Sequence, residues 1–262
     1  MDPIRGLLID LDGTLYVDGV PVPGAIEAIA GLRARNTPFC FATNTTRLPR
    51  RILVQRLHDL GIPVSPGQLH TAPLAAAACL REQGHRSILP LLDPSTLEDL
   101  ADFDLLAPDA EAHADAVLVG DLGDQWSYEI LNRAFRQLMD GAALVAINRN
   151  RYWKTADGLS LDAGPFVVAL EHAAGVSSTI VGKPSPSFYA SAVARLGRRP
   201  SETAMVGDDI AGDVAGAQAA GLRGILVRTG KFRPADLQQG IRPDFILDSL
   251  ARILDVLEPE PR

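Results

Sequence analysis

The sequence is poor in cysteine, with only Cys40 and Cys79 among its 262 residues. Two cysteines so far apart form neither a disulfide framework nor a zinc-binding pattern. Cys40 lies in the apolar run TPFCFAT and is interpreted as a small buried hydrophobic residue. The amino-terminal stretch MDPIRGLLID has no basic segment before a cleavable apolar one, so no secretory signal is expected. These features predict a cytoplasmic protein.

Long apolar runs and an excess of positive charge are also missing. No apolar stretch is long and uninterrupted enough to span a bilayer, so no membrane partner is expected. The net charge is -7, so a nucleic-acid backbone is not expected as the main partner. Neither a G-x-G-x-x-G fingerprint nor a P-loop is present, which argues against dinucleotide binding and ATP-driven chemistry.

The sequence does contain a series of short apolar runs bounded by turn residues. The runs are continuous rather than alternating, which is typical of strands buried on both faces. They are GLLID (6–10), PFCFAT (38–43), SILPLL (87–92), DAVLVG (115–120), ALVAIN (143–148), STIVG (178–182), TAMVG (203–207), GILVR (224–228) and DFIL (244–247). Helical patterns lie between them, at 24–36, 49–61, 74–84 and 213–221. Strand alternating with helix predicts an α/β fold with a mainly parallel sheet.

Two acids, Asp10 and Asp12, follow the first apolar run. Residues i and i+2 of a strand face the same side, so both carboxylates should point past the strand's carboxyl end. Open α/β sheets bind their ligands at that edge. Like charges so close repel one another, and a bound cation is the simplest remedy. Gly13 permits a sharp turn and Thr14 adds a hydroxyl, but a simple turn cap explains these two acids equally well.

Three further strand ends carry polar side chains. The run at 203–207 leads into an acid cluster, the run at 38–43 into hydroxyl and amide groups, and the run at 178–182 into a lysine. The candidate site residues at these ends are Thr43, Asn44, Lys183, Asp208, Asp209 and Asp213. Because the carboxyl ends of parallel strands meet at one edge, this ordered set is far more specific than any one of its motifs.

In this order the motifs resemble those of the haloacid dehalogenase-like hydrolase superfamily. DLDGT is similar to its motif I, Thr43-Asn44 to motif II, Lys183 to motif III and GDDIAGD to motif IV. The long stretch between Thr43 and Lys183 resembles the cap insertion of subclass IIA. The resemblance covers nearly the whole chain and extends to one branch of that subclass, through NRYWKTADGL, AGPFVVALEHAAG and GDDIAGDVAGAQAAGLRGILVRTGKF. It implies a Rossmann-like α/β core with a parallel sheet and an inserted α/β cap of type C2.

The resemblance also implies a phosphatase that passes through an aspartyl-phosphate. Asp10 is then the nucleophile, which divides one difficult displacement into two easier ones. Asp12 is the acid that protonates the leaving oxygen and later the base that deprotonates water. The substrate is expected to be a small phosphorylated metabolite or pyrophosphate, and the sequence does not specify which.

The resemblance implies roles for the remaining candidates as well. The cofactor is expected to be Mg²⁺, held by the Asp10 side chain, the Asp12 backbone carbonyl and the Asp208 side chain. Phosphate is expected to bind the Thr43 hydroxyl, the Asn44 N–H and the Lys183 ammonium, which also holds Asp10. Asp213 is expected to orient Lys183 or metal-bound water, and the role of Asp209 stays open.

The domain division follows from the same resemblance. The catalytic core is expected at residues 1–72 and 180–262, and the cap at 73–179. A cap over the site excludes water and selects the leaving group. The LDAGPF segment (161–166), with Asp162 and Phe166, is the candidate entrance loop, and Arg47 is a candidate contact for an anionic substrate. A homodimer is plausible for this subclass.

Two rival interpretations stay open. The first is a phosphotransferase that passes the phosphoryl group from Asp10 to an acceptor alcohol. The second is a non-catalytic relative that only binds a phospholigand. The joint presence of Asp10, Asp12, Lys183 and Asp208 argues against the second, because such relatives usually lack one of the four.

Overall fold

The computed structural model describes residues 2–46, 48–107, 112–155 and 158–257, without side-chain detail at 153–155. The chain divides into two compact units. The first consists of Met1–Thr43, Arg51–His70 and Lys183–Arg262, and the second of Asn44–Arg50 and Thr71–Gly182. The expected boundaries at 72/73 and 179/180 lie near two of these divisions. The assignment of residues 44–50 to the second unit was not anticipated.

The strands of the described residues are short and mostly buried. They are β1 (Gly6–Ile9), β2 (Tyr16–Val17), β3 (Val20–Pro21), β4 (Phe39–Thr43), β5 (Leu69–Thr71), β6 (Ser87–Leu91), β7 (Asp104–Leu105), β8 (Ala116–Val119), β9 (Ala143–Ala146), β10 (Tyr152–Thr155), β11 (Gly158–Leu161), β12 (Thr179–Ile180), β13 (Thr203–Gly207), β14 (Arg223–Val227) and β15 (Phe245–Leu247). The α-helices are α1 (Ala25–Ala34), α2 (Arg50–Asp59), α3 (Ala72–Glu82), α4 (Tyr128–Met139), α5 (Gly164–Ala174), α6 (Pro186–Leu196) and α7 (Gly216–Ala219).

The first unit is built on a six-stranded sheet in the order β15-β14-β13-β1-β4-β5. β1 lies in the interior of the sheet and pairs in parallel with β13 on one side and β4 on the other. All residues of β1, β4 and β13 are buried, as the continuous apolar runs predict. The carboxyl ends of these three strands therefore lie side by side, and the polar residues that follow them share one edge.

The second unit has its own parallel five-stranded sheet, in the order β12-β9-β8-β6-β7. Neighbouring residues of a strand belong to different core clusters: Ile88 packs with α3 residues such as Leu80, whereas Leu89 packs with Leu138 of α4 and Val167 of α5. The sheet is thus covered on both faces, which is the α/β arrangement expected for the cap.

All nine strands predicted from apolar runs are confirmed, and so is the α/β fold with parallel sheets. The hairpins β2–β3 and β10–β11 were not predicted. In the second hairpin Leu159 and Leu161 are 71% and 62% exposed, so no buried run marks it. The helix predicted at 213–221 is only partly correct, because Ile210–Ala215 forms a π-helical segment before α7. No helix in the described part of the chain is long and apolar enough to cross a membrane.

Candidate active site

Asp10 is fixed at the carboxyl end of β1. Its backbone N–H donates to the Val206 carbonyl at 2.9 Å, which extends the β1–β13 ladder by one bond. The side chain is 10% exposed, and its Oδ1 accepts a hydrogen bond from Lys183 Nζ at 2.6 Å. Burial raises the pKa of the Asp10 carboxyl, and Lys183 opposes that rise. The candidates of motifs I and III are therefore in direct contact.

Lys183 lies between two buried carboxylates. Its Nζ is 2.7 Å from Asp213 Oδ1 as well as 2.6 Å from Asp10 Oδ1, and it reaches the Ala42 carbonyl on β4 at 3.4 Å. Burial lowers the pKa of the Lys183 ammonium, but the attraction of Asp10 and Asp213 outweighs it and leaves the pKa above its usual value. The ammonium is thus a fixed positive charge beside Asp10.

Asp213 is the residue that holds this lysine from the other side. It belongs to the π-helical segment Ile210–Ala215, and such segments often occur at functional sites. Its second oxygen, Oδ2, accepts a hydrogen bond from the Asp209 N–H at 3.1 Å. Burial raises the pKa of Asp213 to about 6, against the lowering effect of Lys183. Both oxygens of Asp213 are engaged with protein donors, as a positioning role requires.

Asp208 directly follows β13 and is 1% exposed. Its Oδ2 accepts a hydrogen bond from the Lys231 N–H at 2.5 Å, whereas its Oδ1 has no hydrogen-bond partner among the described residues. Burial raises the pKa of Asp208 to about 6, although the Lys231 N–H lowers it. A buried oxygen without a donor is costly and indicates that a ligand belongs there.

Two glycines allow the neighbouring loops to pack closely against Asp208. Gly13 (φ 88°) and Gly230 (φ 60°) both adopt the left-handed conformation, and a Cβ on either would lie 2.0 Å from Asp208 Oδ2. The Thr229 hydroxyl donates to the Gly13 carbonyl at 2.5 Å and joins these loops. Side chains at the two positions would push the carboxylate out of place, so the packing itself requires glycine.

Asp12 lies closer to solvent than Asp10. Loss of water raises the pKa of its carboxyl, while Arg56, Lys231, Lys183 and a hydrogen bond with the Tyr16 side chain lower it. The backbone of the turn is held by a 2.7 Å hydrogen bond from the Gly13 N–H to the Tyr16 carbonyl. An exposed carboxyl with a raised pKa is suited to exchanging a proton with a substrate.

The motif II residues occupy the end of β4. Thr43 is its last residue and is 2% exposed. Asn44 follows and belongs to the second unit, where its Oδ1 lies close to Gly182. Asp209 caps the π-helical segment, since its Oδ1 accepts the N–H groups of Ala211 and Gly212. This capping gives Asp209 a structural role in the same loop.

The acids of the first unit fit a hard divalent cation. Asp10, Asp208 and Asp213 each offer one oxygen, and these oxygens lie within 4.8 Å of one another. Repulsion among them and the unpartnered Oδ1 of Asp208 both favour a bound cation. Because Asp213 is engaged by Lys183 and Asp209, the oxygens best placed for a metal belong to Asp10 and Asp208, a set that suits Mg²⁺.

Sequence reasoning missed several residues around the site. Lys231, Tyr16 and Arg56 were not singled out, and neither was Tyr189, whose buried hydroxyl donates to the Gly212 carbonyl. Lys231 had a usable signal, because the run GILVR leads into Thr-Gly-Lys at the same sheet edge. The other three stand in no recognisable pattern.

The candidate entrance loop belongs to the second unit. Phe166, in the first turn of α5, stacks on Trp126 with ring centroids 4.0 Å apart. Asp162 Oδ1 accepts the N–H of Ala163 just before that helix. Arg47, the candidate contact for an anionic substrate, lies outside the described residues.

Comparisons of sequence agree with these motifs. The profile of a family described as haloacid dehalogenase-like hydrolase matches residues 7–105, and a HAD-hydrolase-like profile matches residues 180–253. Haloacid dehalogenase-like hydrolase domain-containing protein 2 of Bos taurus is 44% identical over 233 residues, 89% of this chain and 87% of that protein. Phospholysine phosphohistidine inorganic pyrophosphate phosphatase of Homo sapiens is 39% identical over 263 residues, 97% of this chain and 94% of that protein.

Solved structures of related proteins have the same fold. The p-nitrophenyl phosphatase from Archaeoglobus fulgidus superposes with a TM-score of 0.87 at 28% sequence identity, covering 98% of this chain and 100% of that one. NagD from E. coli K-12 superposes with a TM-score of 0.86 at 26% identity, covering 95% and 98%. The match covers residues of both units.

Proposed function

This chain belongs to the haloacid dehalogenase-like hydrolases and is a phosphatase, and from that premise we propose that it works through an aspartyl-phosphate on Asp10 with Mg²⁺ as cofactor. The substrate is a small phosphorylated metabolite or pyrophosphate. The observation that carries the proposal is the convergence of Lys183, Asp208 and Asp213 on Asp10.

In the first step the Asp10 carboxylate attacks phosphorus, and the bond from phosphorus to the leaving oxygen breaks. Asp12, protonated at that moment, gives its proton to the leaving oxygen, and its raised pKa suits this role. Lys183 holds the Asp10 carboxylate in place through the 2.6 Å contact and counters the negative charge that gathers on the phosphoryl oxygens.

In the second step Asp12, now ionised, takes a proton from water, which attacks the phosphorus of the Asp10-phosphate. The bond between phosphorus and the Asp10 oxygen breaks, and inorganic phosphate leaves. The Thr43 hydroxyl and the Asn44 N–H are proposed to bind phosphoryl oxygens through both steps. Asp213 keeps Lys183 oriented by its own 2.7 Å contact.

The proposed metal ligands are the side chains of Asp10 and Asp208 and the backbone carbonyl of Asp12. Mg²⁺, when bound there, neutralises charge on the carboxylates and on the phosphoryl oxygens. The unpartnered Asp208 Oδ1 supports this assignment.

The wider organisation is also proposed from family membership. The first unit serves as the catalytic core and the second as the cap that selects the leaving group, with Asp162 and Phe166 as candidate entrance residues. Two free buried cysteines fit a cytoplasmic location, and a homodimer is expected, which light scattering would measure.

The mechanism is tested by trapping the intermediate. Borohydride added during turnover of p-nitrophenyl phosphate should reduce an aspartyl-phosphate to homoserine, and peptide mass spectrometry should locate it at position 10. Asp10→Asn should abolish both turnover and trapping without unfolding the protein. Asp248→Asn, at a side chain that is 84% exposed, provides the matched control and should behave as wild type. Trapping at another residue, or appreciable turnover by Asp10→Asn, would remove Asp10 from the nucleophile role.

A further inference from the structure

A cleft of ≈ 340 Å³ adjoins the carboxylate cluster within the first unit. Its lining includes Asp208 and Asp209, which follow β13, and Lys231, Arg233 and Asp236, which follow β14. The mechanism proposed above uses Asp208 but neither of the two cations. The cleft therefore combines the edge of the reaction site with basic side chains that have no assigned role.

Both cations are available to a ligand. The Lys231 side chain is 73% exposed, and its Nζ lies 3.6 Å from Asp209 Oδ2, an exposed pairing of the kind that contributes little to stability. Arg233 is exposed, and no carboxylate pairs with its guanidinium in the described part of the chain. Either side chain can therefore turn toward an anion without breaking a strong interaction.

The two remaining acids of the cleft are held by their own loops. Asp209 Oδ1 accepts two backbone N–H groups as a helix cap. Asp236 Oδ2 accepts the Arg233 N–H at 2.7 Å, and its Oδ1 accepts the Gln239 amide at 3.0 Å. These hydrogen bonds fix the carboxylates in place, whereas the side chains of Lys231 and Arg233 are long and flexible and can turn toward an anion.

Lys231 also connects the cleft to the reaction site. Its backbone N–H donates to Asp208 Oδ2 at 2.5 Å, so the backbone of Lys231 is fixed beside the carboxylate cluster. The Lys231 side chain extends from this point along the cleft, with its Nζ 3.6 Å from Asp209 Oδ2.

We propose that Lys231 and Arg233 form a second anion subsite, which binds the distal phosphoryl group of a substrate that carries two phosphoryl groups. This inference rests on the proposed function, because the first phosphoryl group must lie at Asp10. A guanidinium recognises phosphoryl oxygens through paired N–H donors, and an ammonium adds a compact charge. The subsite makes diphosphates and bisphosphorylated metabolites the preferred substrate class over simple monoesters.

The test measures binding rather than turnover. Isothermal titration calorimetry at fixed free Mg²⁺ compares methylenediphosphonate with methylphosphonate, two analogues that are not hydrolysed. Wild type should bind the diphosphonate at least about tenfold more tightly, the gain expected from one or two charge-assisted hydrogen bonds. Lys231→Gln and Arg233→Gln should each remove most of that preference. Both substitutions keep the backbone N–H groups that hold Asp208 and Asp236.

Arg228→Gln is the matched control. It removes one positive charge from the same segment, at a side chain that is 51% exposed and pairs with Asp248. It should retain the full preference for the diphosphonate. Equal binding of the two analogues by wild type, or an undiminished preference in both variants, would overturn the subsite. Failure of the phosphatase mechanism is scored separately, by loss of borohydride trapping at Asp10.

Discussion

Replacement of Lys183 by methionine should damage both catalysis and folding, for the same electrostatic reason. Methionine has a similar length but no charge, so the carboxylates of Asp10 and Asp213 lose the ammonium that lies 2.6 and 2.7 Å away. The two acids are 10% and 1% exposed, and water cannot replace the lost partner without opening the site.

The expected magnitudes follow from this burial. Breaking a buried ion pair from one side typically destabilises by about 3–5 kcal/mol. Removal of a preorganised charge at a reacting oxyanion typically lowers kcat by about 100- to 1,000-fold. The double variant with Asp213→Asn should regain part of the stability, because one unpaired carboxylate is gone, but none of the activity, because Asp10 still lacks its cation.

The sign of the pH dependence distinguishes this explanation from simple loss of packing. Asp213 has a pKa raised to about 6 even beside Lys183, and removal of the lysine raises it further. An acid whose pKa is raised by folding binds more protons in the folded protein than in the unfolded chain. The stability of the protein therefore falls as pH rises from about 4 through the folded-state pKa. The loss in free energy of unfolding of Lys183→Met relative to wild type should therefore be largest above about pH 7 and smaller at about pH 5.

The assay is urea unfolding in chelator, followed by far-ultraviolet circular dichroism. Trp126 and Trp153 both belong to the second unit, so tryptophan fluorescence reports that unit separately. Arg252→Met removes an equal charge from a side chain that is 66% exposed and should change stability by less than about 0.5 kcal/mol. A Lys183→Met protein within about 1 kcal/mol of wild type at every pH, with nearly full activity, would refute the reasoning.

Three further outcomes are expected. Because Asp208 and Asp213 have pKa values raised to about 6, the metal-free protein should lose stability as pH rises through that range. Added Mg²⁺ should restore the stability, and an unfolding midpoint that does not change with Mg²⁺ would contradict the metal site. Gly13→Ala should lower kcat by more than about tenfold, because the added Cβ would collide with Asp208. Gly19→Ala is the control, because Gly19 also has a positive φ (79°) but open space around its Cβ, so the substitution adds only backbone strain. Equal losses of kcat in the two variants would argue against the steric explanation. Asp12→Asn should slow the first step, release of the alcohol in a single turnover, far more for an alkyl phosphate than for p-nitrophenyl phosphate, whose leaving group needs no proton. An equal loss in that step for both substrates would remove Asp12 from the acid role.

The sequence predicts much of this site because motifs I, II and IV stand at the ends of buried strands. Asp10 and Asp208 come directly after continuous apolar runs, and parallel strands bring such ends to one edge of the sheet. Lys183 is an exception, because the strand before it, β12, belongs to the sheet of the second unit, so a shared sheet edge does not explain its contact with Asp10. Strand ends are thus the part of the site that local pattern predicts well.

Contacts made by folded loops were beyond that pattern. The Lys231 N–H bond to Asp208 depends on a loop that returns after β14, and only tertiary packing positions its donor. The π-helical segment around Asp213 differs from an α-helix by one residue in a turn, a difference that apolar spacing over 213–221 does not record. Tyr16 and Arg56 approach Asp12 from separate elements, with no shared motif.

The interior position of β1 has a consequence for synthesis on the ribosome. One edge of β1 finds its partner early, in β4, but the other edge must wait for β13, and Lys183 itself lies 173 positions after Asp10. At ordinary translation rates that wait lasts roughly ten seconds or more. During that interval the nascent chain exposes an unpaired, apolar strand edge that can pair with other chains and aggregate, and Asp10 lacks the ammonium that contacts it in the folded protein. We therefore expect no activity before Lys183 emerges from the ribosome, and the greatest need for chaperones just before β13 emerges.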